Sequence, residues 1–154
     1  MTKIALVTGG NKGIGLATVR LLAERGITVL LGSRDELRGT QAAQQLTEQG
    51  LDVHYLYLDM EDSSSFSAAY NYIADTYGRL DILINNAGVQ IESETWQTNT
   101  TENIPMEILR KTFDINFFGM VELTQKLLPL LRKSTAGRIV NLTSILGCIV
   151  YYRL

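Results

Sequence analysis

The residues best suited to chemistry lie in the segment Thr8-Gly9-Gly10-Asn11-Lys12-Gly13-Ile14-Gly15. Glycine lacks the Cβ that limits tight turning and holds a backbone away from a ligand. Between a strand and a helix, such a loop aims its backbone N–H groups and the positive end of the helix at a pyrophosphate. The alternative is a glycine-rich turn that binds nothing. Lys12 puts a cation inside the loop, and Arg34, following Ser33, offers a planar fork that matches a phosphate. As ordinary solvated charges the two would need no partner. Two more clusters close apolar runs: Asp59-Met60, otherwise a local cap for a following helix, and Asn85-Asn86-Ala87-Gly88, otherwise an Asn-rich turn.

The elements that must position these residues alternate. Ile4 to Val7 is a continuous apolar run, the mark of a strand buried on both faces. From Ile14 onward Leu16, Ala17, Leu21 and Leu22 fall at helical spacing, and Gly26 supplies the stop. Ile27 to Leu31 is predicted as a second strand. Asp35 to Gln49 is a polar helix with Leu37, Ala42 and Leu46 on one side and Gly50 at its end. The unit repeats with a strand over Val53 to Leu58, a helix over Ser63 to Tyr77 capped by Ser63 and ended by Gly78, and a strand over Asp81 to Ile84. Val89 to Ile104 is polar and aperiodic, either a surface excursion or part of a site. Pro105 suits the first turn of a long helix running toward Lys133, which Pro129 should bend or end early. Arg138 to Leu142 is a fifth strand. Five strands alternating with four helices predict one α/β domain over residues 1–154, a Rossmann-type doubly wound parallel sheet in the order 3-2-1-4-5. Such sheets bind ligands outside the C-terminal strand ends, near the switch point between the first and fourth strands. The marked residues fall there.

The chain of 154 residues is 45% apolar and 19% charged, a globular composition. Its formal net charge of -2, without a Lys/Arg block, gives no reason to expect nucleic acid or an anionic membrane as partner. Cys148 is the only cysteine, which excludes an intrachain disulfide and makes a poor metal site. No stretch has the length of a membrane span and the first apolar run is too short for a signal peptide, so cytoplasm is the expected compartment. His54, alone in a strand pattern, is expected on the surface. Trp96, in the polar loop, would cover a substrate or anchor the loop.

With the glycine loop and the NNAG turn in register, the chain resembles the short-chain dehydrogenase/reductase family, whose TGxxxGxG and NNAG signatures both occur. Asn116 followed by Gly119, and Thr143-Ser144 after the fifth strand, match two further landmarks. The resemblance implies a cofactor site built from Gly9, Asn11, Lys12, Gly13, Ile14 and Gly15. Asn86, Ala87 and Gly88 would line the adenosine ribose, and Asp59, beside Met60, would accept from the adenine amino group. Where an NAD-binding member carries an acid, this chain has Ser33, followed by Arg34. Arg34 and Lys12 offer counter-charges to a 2'-phosphate, so NADP(H) is the expected cofactor. Family members pass a hydride between nicotinamide and a carbonyl or alcohol. Ser144 matches the serine that orients the substrate oxygen, and Asn116 the asparagine that holds a water relay. A small-molecule carbonyl or alcohol is the implied substrate, and a carbonyl-reductase type the implied activity.

One part of the family pattern is absent. The Tyr-x-x-x-Lys motif belongs beyond the serine, yet Tyr151 and Tyr152 lie too close to Ser144 and neither has a lysine four residues on. The sequence is therefore expected to represent an NADP(H)-dependent oxidoreductase truncated before its proton donor, inactive or impaired as this chain alone. The alternative is a non-catalytic NADP(H)-binding regulatory protein; a ligand-free scaffold would make every marked residue an accident. The fifth strand is expected to be a bare sheet edge beside uncovered helix surface, which favours self-association and marginal stability.

Overall fold

The computed structural model describes residues 2–90 and 104–143. Five strands form one sheet: β1 (Ile4–Thr8), β2 (Thr28–Ser33), β3 (Val53–Tyr57), β4 (Ile82–Asn85) and β5 (Arg138–Asn141). Their order is β3-β2-β1-β4-β5 and every pairing is parallel, with Val7 opposite both Leu31 and Ile84. The expected fold class and strand order are thus the observed ones.

Side chains alternate across a strand, and the layers follow from that. Ala5, Val7, Val29, Leu31 and Ile84 point to one face, covered by α1 (Gly13–Ala23) and α2 (Glu36–Thr47). Leu6, Leu30 and Leu83 point to the other, covered by α3 (Ser63–Tyr77) and α5 (Met120–Leu131). Burying each such leucine contributes about 1.5–3 kcal/mol.

The helices depart from the sequence reading in informative ways. The core face of α1 is Gly15, Val19 and Ala23, and Leu21 is half exposed. Gly15 approaches the glycine loop closely, and of the predicted stripe Leu16 and Leu22 pack partly buried against the core while Ala17 and Leu21 face outward. On α2 the buried face is Gly39, Ala42, Ala43 and Leu46, while Leu37 is exposed, and Asp35 stands just outside as the N-cap, accepting from Arg38 N at 3.0 Å. α3 has the predicted span, but its cap is Asp62, whose Oδ1 accepts from Ser64 N at 2.9 Å, and Gly78 closes it at φ 73°.

The long helix is interrupted. α4 (Met106–Phe113) passes into a π turn over Asp114–Gly119 before α5 begins. Pro105 precedes the first helical residue, and Pro129 lies in the last turn of α5, which ends at Leu131, short of Lys133. Two contacts define the π turn. Asn116 turns its amide to the backbone of Val89, and Gly119 lies against the Met60 carbonyl so closely that a Cβ would overlap it. β5 pairs with β4, and among the described residues its other edge is unpaired, with Ile139 and Val140 exposed.

Candidate functional site

β1 ends at Thr8, a buried residue whose hydroxyl joins two loops. Its Oγ1 accepts from Asn86 N at 3.0 Å and from Ala87 N at 2.8 Å. Asn86 returns the contact: Nδ2 donates to the carbonyls of Thr8 at 2.8 Å and Gly9 at 3.1 Å. The glycine loop and the NNAG turn are therefore one hydrogen-bonded unit at the C-terminal ends of adjacent strands. Gly9 and Gly13 take φ values of +64° and +54°, the region L side chains avoid. Lys12, extended, is the N-cap of α1 and gives no side-chain hydrogen bond, so the first-turn N–H groups have no acceptor within the helix or its cap. Thr8→Val should leave the part-buried Ala87 N–H unmet, while Asn86 N keeps its contact to the Ile84 carbonyl at 3.1 Å. Stability is expected to fall by about 1–2 kcal/mol, at the usual 1–3 kcal/mol for a stranded group less local relaxation. An unchanged urea midpoint would show that the hydroxyl does not join the loops.

Above this unit lies a cleft of about 470 Å³, within the range of small-molecule sites. Every residue that the sequence nominated for the cofactor lines it: the loop from Gly9 through Gly15 apart from Gly10, then Ser33 with Arg34, Asp59 with Met60, and Asn86, Ala87 and Gly88. Asn116, exposed and not part of the lining, bonds the lining residue Val89, its Oδ1 accepting from Val89 N and its Nδ2 donating to Val89 O, both at 2.8 Å. The side chain thus clamps the chain leaving the NNAG turn. Ser144, Trp96, Cys148, Tyr151 and Tyr152 lie outside the described residues.

Polar groups around the cleft divide between local and ligand-facing duties. Ser33 Oγ accepts from Asp35 N at 3.2 Å, and the Asp35 carboxylate is committed to the cap of α2. Tyr55 Oη donates to the Ser33 carbonyl at 3.0 Å; burial, then the neighbouring Glu36, Tyr57 and Asp35, raises its pKa, so it remains a donor at neutral pH. Asp59 Oδ1 accepts from Glu61 N at 3.1 Å in the turn before α3, whose cap is Asp62 instead, and Asp59 also lines the cleft. Arg38, which the sequence reading passed over, also lines the cleft, its Nε 3.4 Å from Asp35 Oδ2. The available signal was a second arginine in the first turn of the helix that follows Arg34. With Lys12, three cationic side chains line the cleft. His54 is exposed and remote, its Nε2 2.8 Å from Asp52 Oδ1. Among the described residues no cluster is suited to a metal ion, and no helix is long and apolar enough to cross a membrane.

Known proteins resemble this chain in sequence and fold. Human carbonyl reductase [NADPH] 1 is 42% identical over 94% of this chain and 50% of its own length. The menthone neomenthol reductase of Mentha piperita superposes with a TM-score of 0.82 at 34% identity, over 95% of this chain and 62% of that one. The Pseudomonas aeruginosa RhlG/NADP complex does so with a TM-score of 0.81 at 31% identity, over 93% and 55%. The chain spans about half the length of the curated relatives it matches. The short chain dehydrogenase family model matches residues 3–153, nearly end to end, and together with the sheet order and the joined glycine and NNAG loops this makes the chain a member of the short-chain dehydrogenase family.

Proposed function

We propose that the cleft binds NADP(H), and that the protein is an oxidoreductase of carbonyl-reductase type acting on a small carbonyl or alcohol. The observation that carries the reading furthest is the convergence of Lys12, Arg34 and Arg38 with the uncapped first turn of α1 on one cleft. The residues fit the group chemically. First-turn N–H groups of α1 would hold the pyrophosphate, Arg34, Arg38 and Lys12 the 2'-phosphate, and Asp59 the adenine amino group. Ala87 and Gly88, without bulk, would leave room for the ribose. When bound, the nicotinamide would supply or accept the hydride. Ser144 would orient the substrate oxygen, and Asn116, through Val89, would act as a positioning residue for the loop beneath the ring. The carbonyl reductase [NADPH] and RhlG/NADP relatives support this reading. Turnover belongs to the whole fold, of which this chain matches about half. Pairing of a second copy along the edge of β5 that is unpaired among the described residues is part of the same proposal, since such an edge offers N–H and C=O groups to another strand.

Titration with NADPH and NADH tests the reading. NADPH should bind clearly more tightly, and Arg34→Ala should weaken it by about tenfold through loss of one charge-assisted contact, with little change for NADH. Equal affinity for the two cofactors would refute it. Binding without turnover in the longest chain that folds would favour the regulatory alternative.

A further inference from the structure

The turn between β3 and α3 brings a third party to the cations of the cleft. Glu61 is fixed there by its own N–H, which donates to Asp59 Oδ1 at 3.1 Å. Its Oε2 lies 3.5 Å from Arg34 Nη1 and its Oε1 lies 3.6 Å from Lys111 Nζ, on α4. One carboxylate thus spans two cations, one of which faces the cleft.

We propose that Glu61 is a specificity-determining residue: it holds Arg34 while the cleft is free and competes with the 2'-phosphate of the cofactor for that guanidinium. The proposal rests on the NADP(H) reading above. Charge-assisted contacts to an arginine fork are normally about 2.7–2.9 Å. The Arg34–Glu61 contact is longer and made through a single nitrogen, with the Arg34 side chain 57% exposed, so a phosphate bearing more charge can take it over. Lys111 makes that exchange easier, because Glu61 keeps a cation on its other oxygen when Arg34 leaves. Asp35 holds Arg38 in a similar way, but its carboxylate also caps α2. Glu61 has no such structural duty among the described residues. A carboxylate remaining beside a bound 2'-phosphate also repels it, whereas a free 2'-hydroxyl would feel neither effect. Glu61 therefore keeps NADP(H) affinity below what the three cations could supply and leaves NAD(H) affinity unaltered.

The test is a four-way titration of the wild type, Glu61→Gln, Arg34→Ala and the double variant with NADPH and NADH, with a thermal midpoint for each. Glu61→Gln should bind NADPH about three- to fivefold more tightly, as removal of a weak exposed pair permits, with NADH unchanged. In the Arg34→Ala background the same substitution should have a clearly smaller effect, since the competition runs through Arg34 and only the direct repulsion remains. Unchanged or weaker NADPH binding by Glu61→Gln, or equal tightening of both cofactors, would overturn the proposal while leaving the NADP(H) reading intact. A wild type that does not prefer NADPH would overturn both together.

Discussion

Gly15→Ala is expected to lower NADPH affinity by about 100-fold or more while the chain still folds. An ideal Cβ at Gly15 would overlap the Gly9 carbonyl oxygen and stand 2.5 Å from Asn86 Nδ2. Neither neighbour is a flexible side-chain end. The Gly9 carbonyl belongs to a loop already fixed at φ +64° and accepts a hydrogen bond from that same Asn86 amide. The helix or the loop must shift by a large fraction of an ångström, which moves the first-turn N–H groups away from the pyrophosphate. Misplacement by about 1 Å commonly costs 100-fold where geometry matters, and the overpacking should also remove about 1–3 kcal/mol of stability. Gly13→Ala makes the useful contrast. Nothing lies within 4 Å of a Cβ there, so the cost is only that of a left-handed alanine, about 1–2 kcal/mol, and the loop can keep its place. Titration and urea unfolding of both variants check this; a Gly15→Ala protein that binds NADPH like the wild type would mean the loop does not hold the cofactor.

The difference between those two glycines shows what a sequence can and cannot convey. Spacing alone marked Gly9, Gly13 and Gly15 as a loop for close approach, because glycine between a strand and a helix has few other uses. Gly15 meets the Gly9 carbonyl while Gly13 meets open space, and that carbonyl accepts from Asn86, a partner over 70 positions away that no local pattern contains. The fold was legible for a related reason: parallel strands buried on both faces write unbroken apolar runs, and those of β1 and β2 were found within two residues of their observed ends. Rotation of α1 was only partly legible: Leu16 and Leu22 pack against the core, but the fully buried residues are Gly15, Val19 and Ala23. The π turn was not legible, since it depends on the tertiary contacts of Asn116 with Val89 and Gly119 with Met60. For the site, residue type and family likeness together marked Arg34, whereas Arg38 and Glu61 join it only through the fold of the turns after β2 and β3.

Asp81→Ala is expected to cost about 3–5 kcal/mol, a large part of the 5–15 kcal/mol typical of a whole domain. Only 5% exposed, Asp81 lies at the end of β4 opposite the cleft. Its carboxylate accepts from Ile4 N at 2.8 Å, from Ser134 Oγ at 2.5 Å and from Arg79 Nε at 3.2 Å. It therefore fastens the start of β1 and the approach to β5 to the start of β4. Burial alone would raise its pKa, but the hydrogen bonds from Ser134, Ile4 and Arg79 outweigh that and hold it below the ordinary aspartate value. The sign follows from linkage: with the folded pKa depressed, the unfolded chain takes up the proton first as pH falls. The stabilising contribution is complete above the unfolded value of about 3.9 and is lost as pH drops through the lower folded one. Urea midpoints of wild type and Asp81→Ala should differ by a constant amount from pH 8 to pH 5, and the gap should narrow below about pH 4 toward that between Asp81→Asn and Asp81→Ala. Asp81→Asn, which keeps an acceptor but no charge, should fall between them at neutral pH. A gap that stays constant into strong acid would show that the three donors do not hold a charged carboxylate. Because this network sits at the far end of the strands, NADPH affinity of the molecules that remain folded should match the wild type. Loss of binding with folding intact would instead mean that the register of β1 against β4 sets the geometry of the cleft.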